Sequence, residues 1–251
     1  MMNGLLILPS YSEYFGLTTT TEGLNNAAMW MGGIIGCFCA QPLPDVLGRR
    51  KAILVGCGVT IVGLVIPAAA QHIAMFVVGR IVIGIGSSIA NLTAPTLLGE
   101  LLAPKGRARV LGLFYSCYFV GSLSSSIVNY GCQNINSTWS WRLPSLLQVL
   151  PSFLALGLLP FVPESPRWLL ANERDQEAIE VLAIMQGHSD TRMDKAEQDA
   201  RDIKNVLMDE ATKYNKNPWR DIVTGRANRR RLVILISFGT MINMFGNFII
   251  S

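Results

Sequence analysis

The sequence predicts an all-α fold, a polytopic bundle of membrane-spanning helices, on three observations. Half of the 251 residues are hydrophobic and only 15% are charged. The apolar residues gather into stretches at 26–46, 52–70, 73–98, 110–128, 143–162 and 232–250, each near the roughly 20 residues that a spanning helix needs. When the connectors are taken alternately, the basic residues fall on one side. Residues 48–51, 105–109 and 163–231 hold nineteen of the twenty-one Lys and Arg, and the alternate connectors 9–23, 71–72 and 131–141 hold none. Cytoplasmic connectors carry such an excess. The first set therefore faces the cytoplasm, and the chain reads as a multi-pass protein of the lipid bilayer.

Each segment in turn supports that layout. Residues 1–8 read as the end of a helix. The first long stretch carries Gly32, Gly33 and Gly36, small residues at a spacing that lets helices approach closely. Pro67 closes the second stretch, and the connector after it is so short that the second and third stretches are antiparallel neighbours. Residues 163–231 are of a different character, polar and helical in period. Ala178, Ile179, Leu182 and Met185 mark one amphipathic helix, with Asn172 as its expected N-cap. Residues 193–214 mark a second, with Ile203, Val206 and Leu207 on one stripe, and residues 218–224 have the pattern of a further short turn. Asn136 begins an Asn-Ser-Thr sequon in an outside connector and is a candidate glycosylation site.

Several function classes lose support at this stage. The net charge of +4 belongs to the inside connectors and is no argument for nucleic acid. Across residues 163–231 acidic and basic side chains balance at thirteen each, so the segment does not read as a polybasic anchor either. The five cysteines form no CxxC, and no His/Cys cluster suggests a metal site. No nucleophile–base pair lies at membrane depth, so an enzyme is not expected, nor is a cofactor.

The charges near the membrane are the candidate functional residues. Arg80 lies within a span, where a cation costs about 2.5–3.5 kcal/mol or more at the bilayer centre. Two explanations stay open for it: snorkelling to the outer surface, or a partner on another helix. Asp45, Arg49, Arg50, Glu100, Arg107, Glu164 and Arg167 all fall at the inside ends of spans, where opposite charges can latch packed helices together. Exposed pairs of this kind contribute little each, which suits contacts that must break in a conformational change.

The spacing of these residues resembles the sugar porter family of the major facilitator superfamily. Asp45-Val46-Leu47-Gly48-Arg49-Arg50 is similar to the family's D-x-x-G-R-R loop. Gly79-Arg80 with Gly84 and Gly86 is similar to its G-R-x-x-x-G-x-G. Pro95, Glu100, Pro104 and Arg107 fall on its P-x-Y-x-x-E…P…R-G stretch, and residues 163–169 reproduce P-E-S-P-R-W-L. Residues 137–144, Ser-Thr-Trp-Ser-Trp-Arg-Leu-Pro, are similar to the fungal lactose permease-like and hexose transporter branch. The resemblance covers essentially the whole chain.

It implies a twelve-helix protein in two halves, a reading borrowed from the superfamily. Residues 1–8 would be the end of helix one, 9–162 would hold helices two to six, 163–231 the cytoplasmic helical segment and 232–251 the start of helix seven. It also implies alternating-access transport of a mono- or disaccharide, with a proton as a second partner in the symporters and the plasma membrane as the expected location. The alternative within the same fold is a non-transporting sugar sensor or interaction fragment. Sugar-contacting positions would fall on Tyr115, Asn243 and Asn247. Departures from the pattern are Leu97 for the family's Tyr, Ala108 for its Gly, Tyr115 for an amide in helix five, and Ile242 and Asn243 for two Gln in helix seven.

The topology is tested by cysteine labelling in intact and permeabilised cells. Position 48 is expected to be reached only from the cytoplasmic side and position 136 only from outside. Outside labelling at position 48 contradicts the assignment.

Overall fold

A computed structural model describes residues 16, 18–102, 104–133, 135, 139–186, 192–213 and 225–242. Every regular element among them is helical. In order they are α1 (Thr19–Ala40), α2 (Pro42–Leu47), α3 (Arg49–Ala68), α4 (Ile73–Leu101), α5 (Pro104–Cys132), α6 (Trp139–Leu147), α7 (Val149–Leu158), a 3-10 turn (Leu159–Phe161), α8 (Pro166–Ala171), α9 (Asp175–Met185), α10 (Arg192–Lys213) and α11 (Arg226–Ile242). The chain forms two compact units, one ending at Ala200 and the other running from Arg201 to Ser251.

Prolines explain the breaks inside two of the expected spans. Residues 26–46 form two helices, because Pro42 and Pro44 cannot donate the backbone bonds that would carry α1 onward. α1 starts earlier than expected, at Thr19. There Thr18 and Thr21 exchange side-chain and backbone hydrogen bonds, closing the first turn. Pro151 likewise leaves the Leu147 carbonyl without its helical donor, and the stretch 139–161 divides between α6 and α7 at Gln148.

Among the described residues, four segments are long and apolar enough to cross a membrane: Arg49–Ala68, Ile73–Leu101, Gly106–Cys132 and Trp139–Phe161. α1 has the length but not the same apolarity, since Thr19, Thr20, Thr21, Glu22, Asn25 and Asn26 occupy its first two turns. The stretch 232–250 is described only to Ile242, as part of α11.

The core of the first unit is α4, flanked by α1 on one side and α3 on the other. Both interfaces are seams of small residues. On the α1 side, a Cβ at Gly32 would strike the Ile81 carbonyl and one at Gly84 the Met29 carbonyl, while one at Gly36 would sit 2.8 Å from the Ile85 oxygen. On the α3 side, Gly56 meets Gly86, Gly63 meets Ile83, and Pro67 meets Gly79. The order of these pairs shows the two helices running antiparallel, as the short connector requires. Apolar clusters close the two ends: Leu64, Phe76, Ile83 and Trp141 in one, Ile53, Cys57 and Leu97 in the other.

Among its described residues, the segment 163–231 forms the helices that its periodicity indicates, with one correction. Ala178, Val181, Leu182 and Ala183 are the buried face of α9. Asn172 does not cap it. The helix begins at Asp175, with Arg174 as N-cap, and Asn172 instead ends α8, donating its Nδ2 to the Trp168 carbonyl at 2.9 Å. Glu173 then takes φ 59, so that the chain reverses between the two helices. α10 runs from Arg192 to Lys213, close to the expected range. Residues 218–224 lie outside those described.

The glycine seam yields a paired prediction. A Cβ at Gly86 would meet the Thr60 amide at 2.6 Å and the Gly56 carbonyl at 2.7 Å, whereas one at Gly58 meets nothing within 4 Å. Gly86→Ala is expected to destabilise the chain by about 1–3 kcal/mol through overpacking. Gly58→Ala is expected to be neutral or to stabilise by up to about 1 kcal/mol through helix propensity. Unfolding of the purified chain in detergent checks both. Equal effects would mean that α3 and α4 do not approach as described.

Candidate functional site

Two groups of charge are built into the first unit, one at the inside ends of its helices and one within α4. The inside group starts from the sharp turn between α2 and α3. Gly48 has φ +95 and ψ 156, a backbone that L side chains rarely adopt. It is the N-cap of α3 and has no side chain with which to cap. Glu164 takes that role from more than a hundred residues away. Its Oε1 accepts from the Arg50 amide at 3.0 Å and from the Ser165 amide at 3.1 Å. A carboxylate at a helix N-terminus meets unsatisfied N–H groups and the positive end of the dipole. A Cβ on residue 48 would come 2.6 Å from Glu164 Oε2 and 3.4 Å from Trp168 Cε2, so the glycine leaves room for its own distant cap.

The segment that supplies Glu164 is held firmly. Ser165 is fully buried and caps α8, its Oγ accepting from the Trp168 amide at 3.3 Å. Pro166 occupies the first helical position, where its missing N–H costs nothing. Trp168 is buried, and its indole N–H donates to the Asp45 carbonyl at 2.9 Å. Arg50 completes the junction, its Nη1 donating to the carbonyls of Val162 at 3.1 Å and Pro160 at 3.3 Å.

Arg49 joins the same turn to α4. Its Nη2 lies 3.1 Å from Asp45 Oδ1, its Nε lies 3.2 Å from Glu100 Oε2, and its Nη1 donates to the Pro44 carbonyl at 3.2 Å. The Nε–Glu100 contact is an ion pair by distance but is not aligned as a hydrogen bond. The Arg49 and Glu100 side chains are only 13% and 18% exposed while Asp45 is 72% exposed. The Glu100 contact is therefore the better shielded of the two.

The expected single cluster is thus two linked sets: Asp45, Arg49 and Glu100, and Gly48, Arg50, Glu164 and Trp168. Arg107 does not join them. It is exposed on α5 and donates to the Leu102 carbonyl at 3.4 Å. Arg167 is exposed on α8. Trp168 and the backbone carbonyls are the parts that sequence reading missed. The tryptophan lies inside the quoted motif, but only the fold shows that its N–H reaches Asp45.

For Arg80 the structure decides between the two explanations. The residue is 2% exposed, so it does not reach for solvent. Its Nη1 donates to the Asn25 carbonyl of α1 at 2.8 Å, and its guanidinium carbon lies 5.3 Å from the centre of the Phe76 ring. Trp141 of α6, fully buried, meets Phe76 edge-on with centroids 6.3 Å apart. Arg142 lies over Trp141 at 5.0 Å. The two arginines thus flank an edge-on pair of aromatic rings, a cation–π arrangement that gains strength with desolvation.

Of the expected sugar-contacting residues only Tyr115 is among those described. Tyr115 is exposed on α5, edge-on to Phe114 with centroids 5.4 Å apart. Asn243, Asn247 and the sequon residue Asn136 lie outside the described residues. Among those residues no group of three His, Cys, Asp or Glu is placed to hold a metal ion.

Comparison with known proteins fits this geometry. A family model described as "Sugar (and other) transporter" matches residues 1–251, and the chain belongs to that family of multi-pass membrane transporters. It is 32% identical over 246 residues to the MFS-type transporter criB of Aspergillus cristatus, covering 98% of this chain and 53% of that protein. It is 34% identical over 203 residues to the glucose transporter GlcP of Staphylococcus epidermidis, covering 81% and 44%. The chain thus spans about half the length of the relatives it matches. Among solved structures, the proton:xylose symporter XylE bound to 6-bromo-6-deoxy-D-glucose superposes with a TM-score of 0.77 at 23% identity, over 89% of this chain and 52% of that one. A partially occluded inward-open form of XylE from E. coli gives 0.73 at 22%, over 83% and 55%. At that identity the likeness establishes the major facilitator fold.

The capping role of Glu164 is directly testable. Glu164→Ala is expected to cost about 1–2 kcal/mol, the usual loss for a removed N-cap, and to speed hydrogen exchange at the Arg50 amide. Glu164→Gln, which keeps an acceptor, is expected to lose less. Gly48→Ala is expected to resemble Glu164→Ala, because it strains the backbone and displaces the carboxylate. Unchanged exchange at Arg50 in Glu164→Ala would rule the cap out. Since Gly48 is buried, the exposed Lys51 is the better reporter for labelling from the cytoplasmic side.

Proposed function

We propose that this chain is half of an alternating-access carrier for a mono- or disaccharide, with helices two to six in residues 19–161. The family match over the whole chain carries this reading. The inside charge set supports it physically. The Arg49–Glu100 and Arg50–Glu164 contacts tie the ends of α3, α4 and the α8 segment by a few partly exposed bonds. Such bonds are individually weak, so they can be exchanged between states without a large barrier. A midplane site between two halves would receive the sugar, with Tyr115, Asn243 and Asn247 as its contributions from this chain. Arg80, sealed between α1, α4 and α6, fixes the helix arrangement. The symporter name of one structural relative is consistent with a coupled mechanism, and the plasma membrane is the location proposed for it.

Uptake of radiolabelled glucose, xylose, lactose and maltose in cells lacking their own carriers tests the reading. A protein joining this chain to a second six-helix half is expected to give saturable uptake, and the 251-residue chain alone none. In the joined protein, Glu100→Gln is expected to lower the maximal rate more than it changes the KM, because Glu100 acts on the latch and not on the sugar. Sugar binding without uptake would favour a sensor instead. An unchanged maximal rate at matched expression would contradict the latch.

A further inference from the structure

The charge balance of the cytoplasmic segment conceals its order. Residues 163–221 hold thirteen acidic and nine basic side chains, and residues 222–231 hold four basic and none acidic. The four are Arg226, Arg229, Arg230 and Arg231, and residues 232–251 hold no acidic side chain. They open α11, whose first turn contains no acidic residue. Cations there oppose the positive end of the helix dipole, and like charges crowd within one turn. The helix is therefore electrostatically frustrated at its start unless an anion is supplied.

Other arginines at the inside face spend their donors on the protein itself. Arg49 meets Asp45, Glu100 and the Pro44 carbonyl, and Arg50 meets the carbonyls of Pro160 and Val162. Arg229, Arg230 and Arg231 are all exposed, and among the described residues no carboxylate pairs with them. Directly after them comes an apolar run with Val233, Ile234, Leu235 and Ile236 between 57% and 68% exposed. With a rise of roughly 1.5 Å per residue, a helix whose apolar part sits in hydrocarbon holds Arg229–231 at the level of the headgroups. The positive-inside bias accounts for the side on which these arginines lie. It does not account for three consecutive exposed guanidinium groups that meet no carboxylate among the described residues.

We propose that the start of α11 is a binding site for the phosphate headgroup of an anionic phospholipid of the cytoplasmic leaflet. Guanidinium forks match phosphate oxygens in geometry and charge, and a basic cluster beside a membrane helix is the arrangement that anionic lipids recognise. The bound lipid relieves the repulsion and anchors the end of the cytoplasmic segment to the membrane surface. This is independent of which sugar, if any, the protein carries.

The test uses the full chain in phosphatidylcholine nanodiscs holding a minor fraction of phosphatidylserine with a photoactivatable group near its headgroup. Cross-linked peptides are mapped by mass spectrometry. Labelling is expected to concentrate on the peptide spanning residues 226–236, and to fall to the level of a photoactivatable phosphatidylcholine in high salt. Arg230→Gln is expected to reduce it about fivefold, the worth of one basic residue at an anionic surface. The triple variant R229Q/R230Q/R231Q is expected to abolish it, while R229K/R230K/R231K, which keeps the charge, retains it within about threefold. Should the triple Gln variant fail to insert, the Arg230→Gln variant and the salt titration decide alone. Equal labelling by the neutral lipid, or labelling unchanged in Arg230→Gln and in high salt, overturns the proposal. Loss of labelling in millimolar inorganic phosphate would assign the arginines to a soluble anion and overturn it equally.

Discussion

A buried guanidinium sets the terms for the first unit. Arg80 lies roughly 10 Å along α4 from Ile73, counted at the rise of a helix, and is almost fully enclosed. At membrane depth there is no water to complete its hydrogen bonding, so neighbouring helices must come to it. The Asn25 carbonyl does so from α1, the Phe76 ring from α4 itself, and Trp141 from α6 supports that ring. Such contacts need close helix axes. Gly32, Gly36 and Gly84 on one interface, and Gly56, Gly63, Gly79 and Gly86 on the other, remove the side chains that would hold the axes apart. The glycines and the arginine are thus one structural solution.

The inside end is built from different material. Its contacts are charge to backbone and charge to charge, partly exposed, and several of them come from one short turn. Glu164 substitutes for the capping side chain that Gly48 lacks, which ties the start of α3 to the entrance of α8. The two ends thus differ in kind. One is sealed by apolar packing around Arg80. The other is held by a few partly exposed contacts.

Much of this was legible in the sequence because membranes impose strong rules. Span positions follow from length and apolarity. The spacing of Asp45, Gly48, Arg49, Arg50, Glu100 and Glu164 pointed to one face. What the sequence did not reveal was carried by the backbone. The partners of Arg80, Arg50 and Trp168 are carbonyls, and a carbonyl has no letter in a sequence. The same blindness explains Asn172, whose side chain fits an N-cap but whose position ends a short helix that Ser165 and Pro166 had already started. Arg107 failed to join the charge group because α5 carries it on an exposed face.

The dependence of Arg80 on the close α1–α4 seam is the central claim, and phenylglyoxal modification of the membrane-embedded chain, mapped by mass spectrometry, tests it most directly. In the native protein Arg80 is expected to stay unmodified under conditions that fully modify the exposed Arg107. In Gly32→Leu, which pushes α1 away from the Ile81 carbonyl, Arg80 is expected to react. Modification of native Arg80 at the rate of Arg107, or continued protection of Arg80 in Gly32→Leu, would contradict the account.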